Sequence, residues 1–173
     1  SSYNIEFLRS QVGIVPQQGV IFEGTILENM TLYREGEAVD QAIELASLLG
    51  LGDIISKLPD GLDTYIGGAA ACSLPEGVRQ KIVIVRSLVG HPKIMLFDDA
   101  NANFDIKNDK KLVDAITAMK GSRTLVIVSH RPSVLRLCDR RYVLQNGQLV
   151  NAESGSGSKP VRRGTPQLTL AGA

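Results

Sequence analysis

Two apolar segments in the middle of the chain alternate with stretches of helical spacing. Ile94–Phe97 and Thr124–Val128 offer apolar residues to both faces of a strand, as central strands of a parallel sheet require. Arg79–Val89 precedes the first strand and Asp109–Met119 follows it, each with apolar positions at helical intervals. Alternation of buried strands with helices predicts an α/β fold built on a parallel sheet.

The N-terminal part of the chain predicts shorter elements. Gln11–Val15 is a strand that stops at a proline, which cannot donate a ladder hydrogen bond. Thr25–Met30 predicts a short helix in which Thr25 and Glu28 form a capping box. Glu37–Leu49 has helical spacing and ends at a glycine. A turn at 59–61 follows, and a loop rich in glycine and alanine is expected at 67–73.

The C-terminal part predicts a helix over 132–137 and then a hairpin, with strands at 141–144 and 148–150 around an Asn-Gly turn. Beyond residue 150 the composition changes to alternating serine and glycine, followed by a basic segment. We therefore expect one folded domain at 1–150 and a disordered tail at 151–173.

Composition adds mainly exclusions. The chain has 173 residues, enough for one core, and its formal net charge of +1 gives no field that would attract nucleic acid. No apolar run approaches the ~20 residues that cross a bilayer, and the N-terminus does not resemble a signal peptide. Cys72 and Cys138 lie far apart, and we expect two reduced, half-buried thiols.

Reactive polar residues follow three of the predicted strands. Gln17 comes after the first strand, Asp98 and Asp99 come directly after Phe97, and His130 comes after the Thr124–Val128 strand. Ligands of open α/β sheets bind beyond the carboxyl ends of the strands, so these side chains are expected to share one edge. One carboxylate can hold Mg²⁺, another can orient a water, and the histidine can meet a terminal phosphate. Together they indicate phosphoryl transfer from a nucleotide to water.

Four stretches in register resemble the nucleotide-binding domain of ABC transporters of the exporter type. The segment 11–33 is similar to the Q-loop region, 93–105 to a Walker B strand with its D-loop, 124–131 to a strand with its H-loop, and 142–149 to the closing hairpin. The resemblance implies a P-loop NTPase-like parallel sheet with a helical signature subdomain, ATP and Mg²⁺ as ligands, and ATP hydrolysis coupled to export.

The resemblance also assigns roles to matching positions. It implies that Gln17 reaches the Mg²⁺, Asp98 binds the metal, Asp99 polarises the attacking water, Asp105 lies at a dimer interface and His130 meets the γ-phosphate. The same resemblance implies that the segment after Gln17 lies near the membrane domain. His91, which precedes Pro92, is interpreted as structural.

Three departures from the family pattern stand out. No Gly-x-x-x-x-Gly-Lys-Ser/Thr motif occurs in the chain. We interpret this as truncation upstream, with the first strands and the phosphate loop missing. The chain alone is therefore expected to be inactive. The signature segment falls on Leu74, Pro75, Glu76, Gly77 and Val78, where the proline removes a hydroxyl and a donor and Glu76 places a negative charge near phosphate. Asp99 stands where the family usually has glutamate, and it is one methylene shorter.

Three functions remain open from sequence alone: a slow but active transport ATPase, a regulatory nucleotide-binding subunit of a heteromeric transporter, and a non-transport ATPase of the same fold. The resemblance implies two partners, a second nucleotide-binding domain and the transmembrane domain of an exporter, with no nucleic acid. It places the chain at the cytoplasmic face of a membrane. The transported substrate and the choice between homodimer and heterodimer are not determined.

Overall fold

The computed structural model describes residues 4–68 and 74–152, together with the backbone of 167–171. The first part of the chain consists of α1 (Ile5–Ser10), β1 (Val12–Val15), β2 (Gly24–Thr25), α2 (Ile26–Thr31), α3 (Glu37–Leu48), α4 (Gly52–Ile55), a 3₁₀ turn (Gly61–Asp63) and β3 (Tyr65–Ile66). The second part consists of α5 (Glu76–Leu88), β4 (Ile94–Asp98), α6 (Ile106–Met119), β5 (Thr124–Ser129), α7 (Pro132–Leu135), β6 (Arg140–Gln145), β7 (Gln148–Asn151) and β8 (Gln167–Ala171).

The central sheet confirms the predicted fold class. Strands β1, β4 and β5 are parallel neighbours, with Val15 paired to Phe97 and Asp98 paired to Val128. The hairpin of β6 and β7 lies at the far end of the sheet, and β2 and β3 form a separate pair. Because β1, β4 and β5 run in the same direction, their carboxyl ends meet at one edge, and the residues that follow them become neighbours.

One hydrophobic core joins the sheet to the helices. Met95 and Phe97 of β4, with Leu125 and Ile127 of β5, lie in the same buried cluster as Ile82 of α5 and as side chains of α6. These strand residues alternate along the chain, so they occupy one face of the sheet. The segments that connect the three parallel strands therefore cover that face.

The opposite face of the sheet is open, which differs from the expectation of strands buried on both faces. Ile14 of β1 is 59% exposed and Ile94 of β4 is 39% exposed. Parallel sheets are ordinarily covered on both faces because their connecting helices pack on both sides. In the described residues, the connections pack against only one side of these strands, so the apolar residues of the other face remain in contact with solvent.

Local capping follows the sequence closely. Thr25 and Glu28 form the predicted capping box, with Glu28 N–H donating to Thr25 Oγ1 at 3.1 Å and Thr25 N–H donating to Glu28 Oε2 at 2.7 Å. Two helices begin earlier than predicted, α5 at Glu76 and α6 at Ile106. The α6 start is explained by Asp105, whose side chain accepts a hydrogen bond from Asn108 N–H at 2.8 Å as an N-cap.

The expectation of a disordered tail over 151–173 is wrong for Asn151, which ends β7, and for the five residues 167–171. Gln167–Ala171 forms β8, which lies between β5 and β6 and runs antiparallel to both. This segment alternates polar and apolar residues, a period that suits a strand. The other residues of the predicted tail beyond 152, like residues 69–73 of the predicted loop and with them Cys72, lie outside the described part of the chain. Cys138 is buried rather than half-buried, with its Sγ 3.6 Å from Val134 O.

Candidate active site at the carboxyl edge of the sheet

Parallel pairing brings the predicted strand-end residues to one edge. Val15 pairs with Phe97, so Gln17 continues beyond β1 alongside the residues that follow β4. Asp98 ends β4 opposite Val128, two residues before His130. Asp98, Gln17 and His130 are exposed at this edge, whereas Asp99 is only partly exposed. The structure thus places together the four residues that the sequence singled out after the strands.

The side chains of Asp99 and His130 are in direct contact at this edge. His130 Nδ1 lies 3.0 Å from Asp99 Oδ1, with 60% of the histidine side chain exposed but only 19% of the aspartate side chain. This separation is within ion-pair distance, but it lacks hydrogen-bond geometry, and Asp99 Oδ1 accepts no hydrogen bond from the described residues.

The backbone of Asp99 is left-handed, with φ of 46°. Aspartate adopts this conformation more readily than most residues because its short polar side chain can bond locally. Its N–H donates to Val128 O at 2.8 Å, and its own carbonyl accepts from Ala102 N–H at 2.9 Å. The turn after β4 is therefore tied to the end of β5, which carries His130. The sequence did not indicate this local reason for aspartate at position 99.

A buried polar cluster lies directly behind this pair. Asn101 Nδ2 donates to Asp109 Oδ1 at 2.5 Å, and Ser129 Oγ lies 3.5 Å from Asn101 Oδ1. Arg131 Nη2 donates to Ala102 O at 2.8 Å, and Arg131 Nη1 lies 3.5 Å from Asp109 Oδ1. Sequence reasoning missed these residues because their meeting depends on tertiary contacts between two loops and α6.

The segment around Gln17 is held by α5. Gln80 is buried and donates from Nε2 to Pro16 O at 2.8 Å, directly before Gln17. Arg86 Nη1 donates to Val20 O at 2.7 Å, and Arg86 Nε donates to Asn29 O at 2.6 Å. Burial lowers the pKa of the Arg86 guanidinium. Because α5 also begins at the predicted signature segment, one helix connects that segment to the loop of Gln17.

The predicted signature residues begin α5 but differ in their surroundings. Pro75 is the N-cap residue and is exposed, and the side chain of Val78 lies in the core, so only its backbone could face a ligand. Leu74 packs against the core, and Gly77 has open space at its Cβ position with Phe104 4.0 Å away. Glu76 Oε2 lies 3.4 Å from Arg79 Nη1 within the first turn of the helix. A carboxylate there is favourable to the helix itself.

Asp105 and His91, the other residues named from the sequence, are both exposed. Asp105 is exposed and its side chain caps α6, as described above. His91 is exposed, with its Nδ1 3.3 Å from Arg123 Nη2, at the turn before β4. In the described residues no group of three His, Cys, Asp or Glu side chains could hold a metal ion by themselves. Mg²⁺ in nucleotide sites is held by one or two carboxylates together with phosphate oxygens, and Asp98 suits that limited contribution.

Comparison with known proteins identifies the family. The family model described as ABC transporter matches residues 1–102. The chain is 39% identical over 150 residues to Multidrug resistance protein 1 of Entamoeba histolytica, covering 85% of this chain and 11% of that protein. It is 36% identical over 144 residues to the alpha-hemolysin translocation ATP-binding protein HlyB of Escherichia coli, covering 83% of this chain and 20% of that protein.

A solved structure agrees with this identification. A bacterial Atm1-family ABC exporter with ATP bound has a TM-score of 0.75 and 34% identity to the chain, over 83% of this chain and 25% of that one. The chain belongs to the ABC transporter family, and it is similar to the ATPase domain of exporter-type members. It spans a quarter or less of the length of each of these relatives. Among the described residues, no helix is long and apolar enough to cross a bilayer.

Proposed function

We propose that the chain is part of the ATP-hydrolysing domain of an ABC exporter, which drives transport by closing two such domains around ATP. The observation that carries this proposal is the Asp99–His130 pair at the carboxyl edge, beside Asp98. The names of the relatives support the transport role, since one is a multidrug resistance protein and another a translocation ATP-binding protein.

The geometry suits hydrolysis by an in-line water. The Asp99 carboxylate, which faces His130 and is partly exposed, would accept a hydrogen bond from the water and direct its lone pair at the γ-phosphorus. The new bond joins that water oxygen to phosphorus, the bond to the β–γ bridging oxygen breaks so that ADP leaves, and the proton lost by the water passes to the Asp99 carboxylate and from there to solvent. His130 would donate to a γ-phosphate oxygen, and Asp98 and Gln17 would hold Mg²⁺, whose chemical contribution would be to neutralise charge on the phosphates. Asp105 contributes at the contact between the two domains.

The phosphate-binding loop in this proposal comes from residues outside the 173. Supporting it is the open apolar face formed by Ile14 and Ile94, which a further layer of the same domain would cover. The second domain and the membrane domain are the proposed partners, at the cytoplasmic face of a membrane.

A regulatory role is the second candidate, and the signature segment favours it. Glu76 adds a carboxylate where the partner's γ-phosphate would approach, and Pro75 has neither a hydroxyl nor an N–H to donate. Bound ATP would then close the dimer while turnover stays slow. A chain with this segment and Asp99 is proposed to hydrolyse ATP below the typical enzyme rate of about 10 s⁻¹.

The test uses a longer version of the protein that includes the phosphate loop and membrane helices, reconstituted in vesicles. ATP hydrolysis is measured for the unmodified protein, for Asp98→Asn, and for Asp114→Asn as the control, because Asp114 is exposed on α6. We expect slow hydrolysis that Asp98→Asn abolishes and Asp114→Asn leaves unchanged. Binding of ATP with no detectable single turnover would favour the regulatory role, and absence of ATP binding would refute both.

A further inference from the structure

The polar cluster behind the strand-end site consists of the buried residues Asn101, Asp109 and Ser129 and of Arg131, whose side chain is 25% exposed. Asn101 and Ser129 are each 2% exposed and Asp109 is 8% exposed. Buried polar groups of this kind are retained only where their hydrogen bonds are made, because an unmade bond costs about 1–3 kcal/mol. No member of the cluster is among the groups proposed to touch ATP, and none was singled out by the sequence.

The cluster joins the two loops that carry the proposed catalytic pair. Asn101 lies two residues after Asp99, and Ser129 and Arg131 lie on either side of His130. Arg131 N–H donates to Ser129 Oγ at 3.1 Å, so the backbone around His130 is held in a turn. Arg131 then reaches across to Ala102 O in the loop of Asp99. Each neighbour of His130 is thus connected to the loop of Asp99.

Asp109 is the common acceptor of this cluster. Its Oδ1 receives Asn101 Nδ2 from one loop and faces Arg131 Nη1 from the other at 3.5 Å. It is carried by the first turn of α6, whose position is set by its buried residues Leu112 and Ile116. A single carboxylate on a packed helix therefore sets where both loops lie.

The backbone of Asp99 makes such support necessary. A left-handed non-glycine residue costs about 1 kcal/mol or more and persists only where surrounding contacts determine it. If the loop relaxed, Asp99 Oδ1 would leave its place near His130. A displacement of about 1 Å in a catalytic group can lower a rate about 100-fold.

We infer that Asp109 and Arg131 are positioning residues, which hold Asp99 and His130 in the geometry for hydrolysis without touching the nucleotide. The inference rests on the proposed function for its kinetic consequence. Its structural consequence, that Asp109 determines the surroundings of His130, does not depend on ATP hydrolysis.

The kinetic experiment uses the longer protein described above. We expect Asp109→Ala to lower the single-turnover rate 10- to 100-fold while ATP affinity stays within about 3-fold of wild type. Asp109→Asn keeps an oxygen that can accept from Asn101 but loses the charge that faces Arg131, so its single-turnover rate should fall less than that of Asp109→Ala. Arg131→Gln is the second variant should Asp109→Ala fold poorly, and Asp114→Asn is the matched control on the same helix. Equal losses in rate and in folded fraction, by circular dichroism, would overturn the inference.

The second experiment uses the 173-residue chain, which contains two histidines. Histidine-selective NMR then gives separate signals for His130 and His91. We expect Asp109→Ala and Arg131→Gln to shift the His130 signal and leave His91 in place, and Asp114→Asn to shift neither. An unchanged His130 signal in both variants would refute the inference. If the wild-type protein hydrolyses no ATP, the proposed function fails, but this spectrum still decides the positioning role.

Discussion

Arg86 is predicted to be among the residues that contribute most to the stability of the chain, and Arg86→Met tests this. Its guanidinium makes three hydrogen bonds, to Asn29 O, Val20 O and Asn29 Oδ1, at 2.6, 2.7 and 2.8 Å. It also lies 4.6 Å from the centre of the Phe22 ring. Asn29 is itself buried and bonds to both the N–H and the carbonyl of Phe22. The arginine and the asparagine together hold the segment between Gln17 and α2.

The expected loss is about 3 kcal/mol. Each hydrogen bond contributes about 1 kcal/mol net after the loss of hydration, and the ring contact adds about 0.5–1 kcal/mol. Methionine keeps most of the apolar stem, so little is lost from packing. Burial of the charged guanidinium, which lowers the pKa of Arg86, costs free energy and offsets part of the stabilisation from these contacts. The expected loss is therefore smaller than the sum of three hydrogen bonds to a charged group. A loss of this size is a large share of a typical domain stability of about 5–15 kcal/mol.

Urea unfolding of the chain, followed by circular dichroism, measures this loss. Arg136→Met is the control, because Arg136 is exposed and surface substitutions usually change stability by less than about 0.5 kcal/mol. A double-mutant cycle with Asn29→Ala should give a coupling energy of about 1–2 kcal/mol. A loss below about 1 kcal/mol for Arg86→Met, or strict additivity with Asn29→Ala, would refute the role assigned to this network.

Three further predictions concern single side chains. Lys81 is 2% exposed, and burial lowers its pKa from 10.5, so below that pH its positive charge destabilises the folded state relative to the unfolded state. Lys81→Met should therefore raise the urea midpoint at pH 7, with a gain that shrinks as the pH rises toward 10.5. Asp99→Glu should raise the single-turnover rate if the shorter side chain of aspartate is what limits hydrolysis. Because glutamate adopts the left-handed backbone of this position less readily than aspartate, the variant should also melt a few degrees lower. Glu76→Gly should strengthen ATP-driven dimerisation at low salt, measured by size-exclusion chromatography of the longer protein carrying Asp99→Asn. A gain that does not depend on salt, or no gain, would mean that Glu76 interacts only with its own helix and with Arg79.

The sheet and its carboxyl edge could be predicted from sequence because each depends on local patterns. Apolar runs over Ile94–Phe97 and Thr124–Val128 predicted two central strands, and the structure extends each by one residue. Polar residues directly after such runs must meet when the strands are parallel. The capping box at Thr25 could be predicted for the same reason, since its partners lie three residues apart. Family resemblance then supplied roles that spacing alone could not distinguish.

The remaining features depend on contacts between distant segments. In the sequence, Asp109 is indistinguishable from an ordinary acidic residue in the first turn of a helix. Only tertiary packing places it against Asn101 and Arg131. Gln80 likewise has no local signal for its bond to Pro16, 64 positions earlier. The strand Gln167–Ala171 was missed because its flanking composition predicted disorder, whereas its position between β5 and β6 supplies partners on both sides.

Single-turnover hydrolysis by the longer protein, with and without His130→Ala, tests the central claim most directly. If His130 donates to the γ-phosphate in the transition state, the variant should bind ATP with an affinity within about 3-fold of wild type but hydrolyse it at least 100-fold more slowly. The same rate in both proteins, under conditions where both are saturated with ATP, would contradict the assignment of this strand edge as the hydrolytic site.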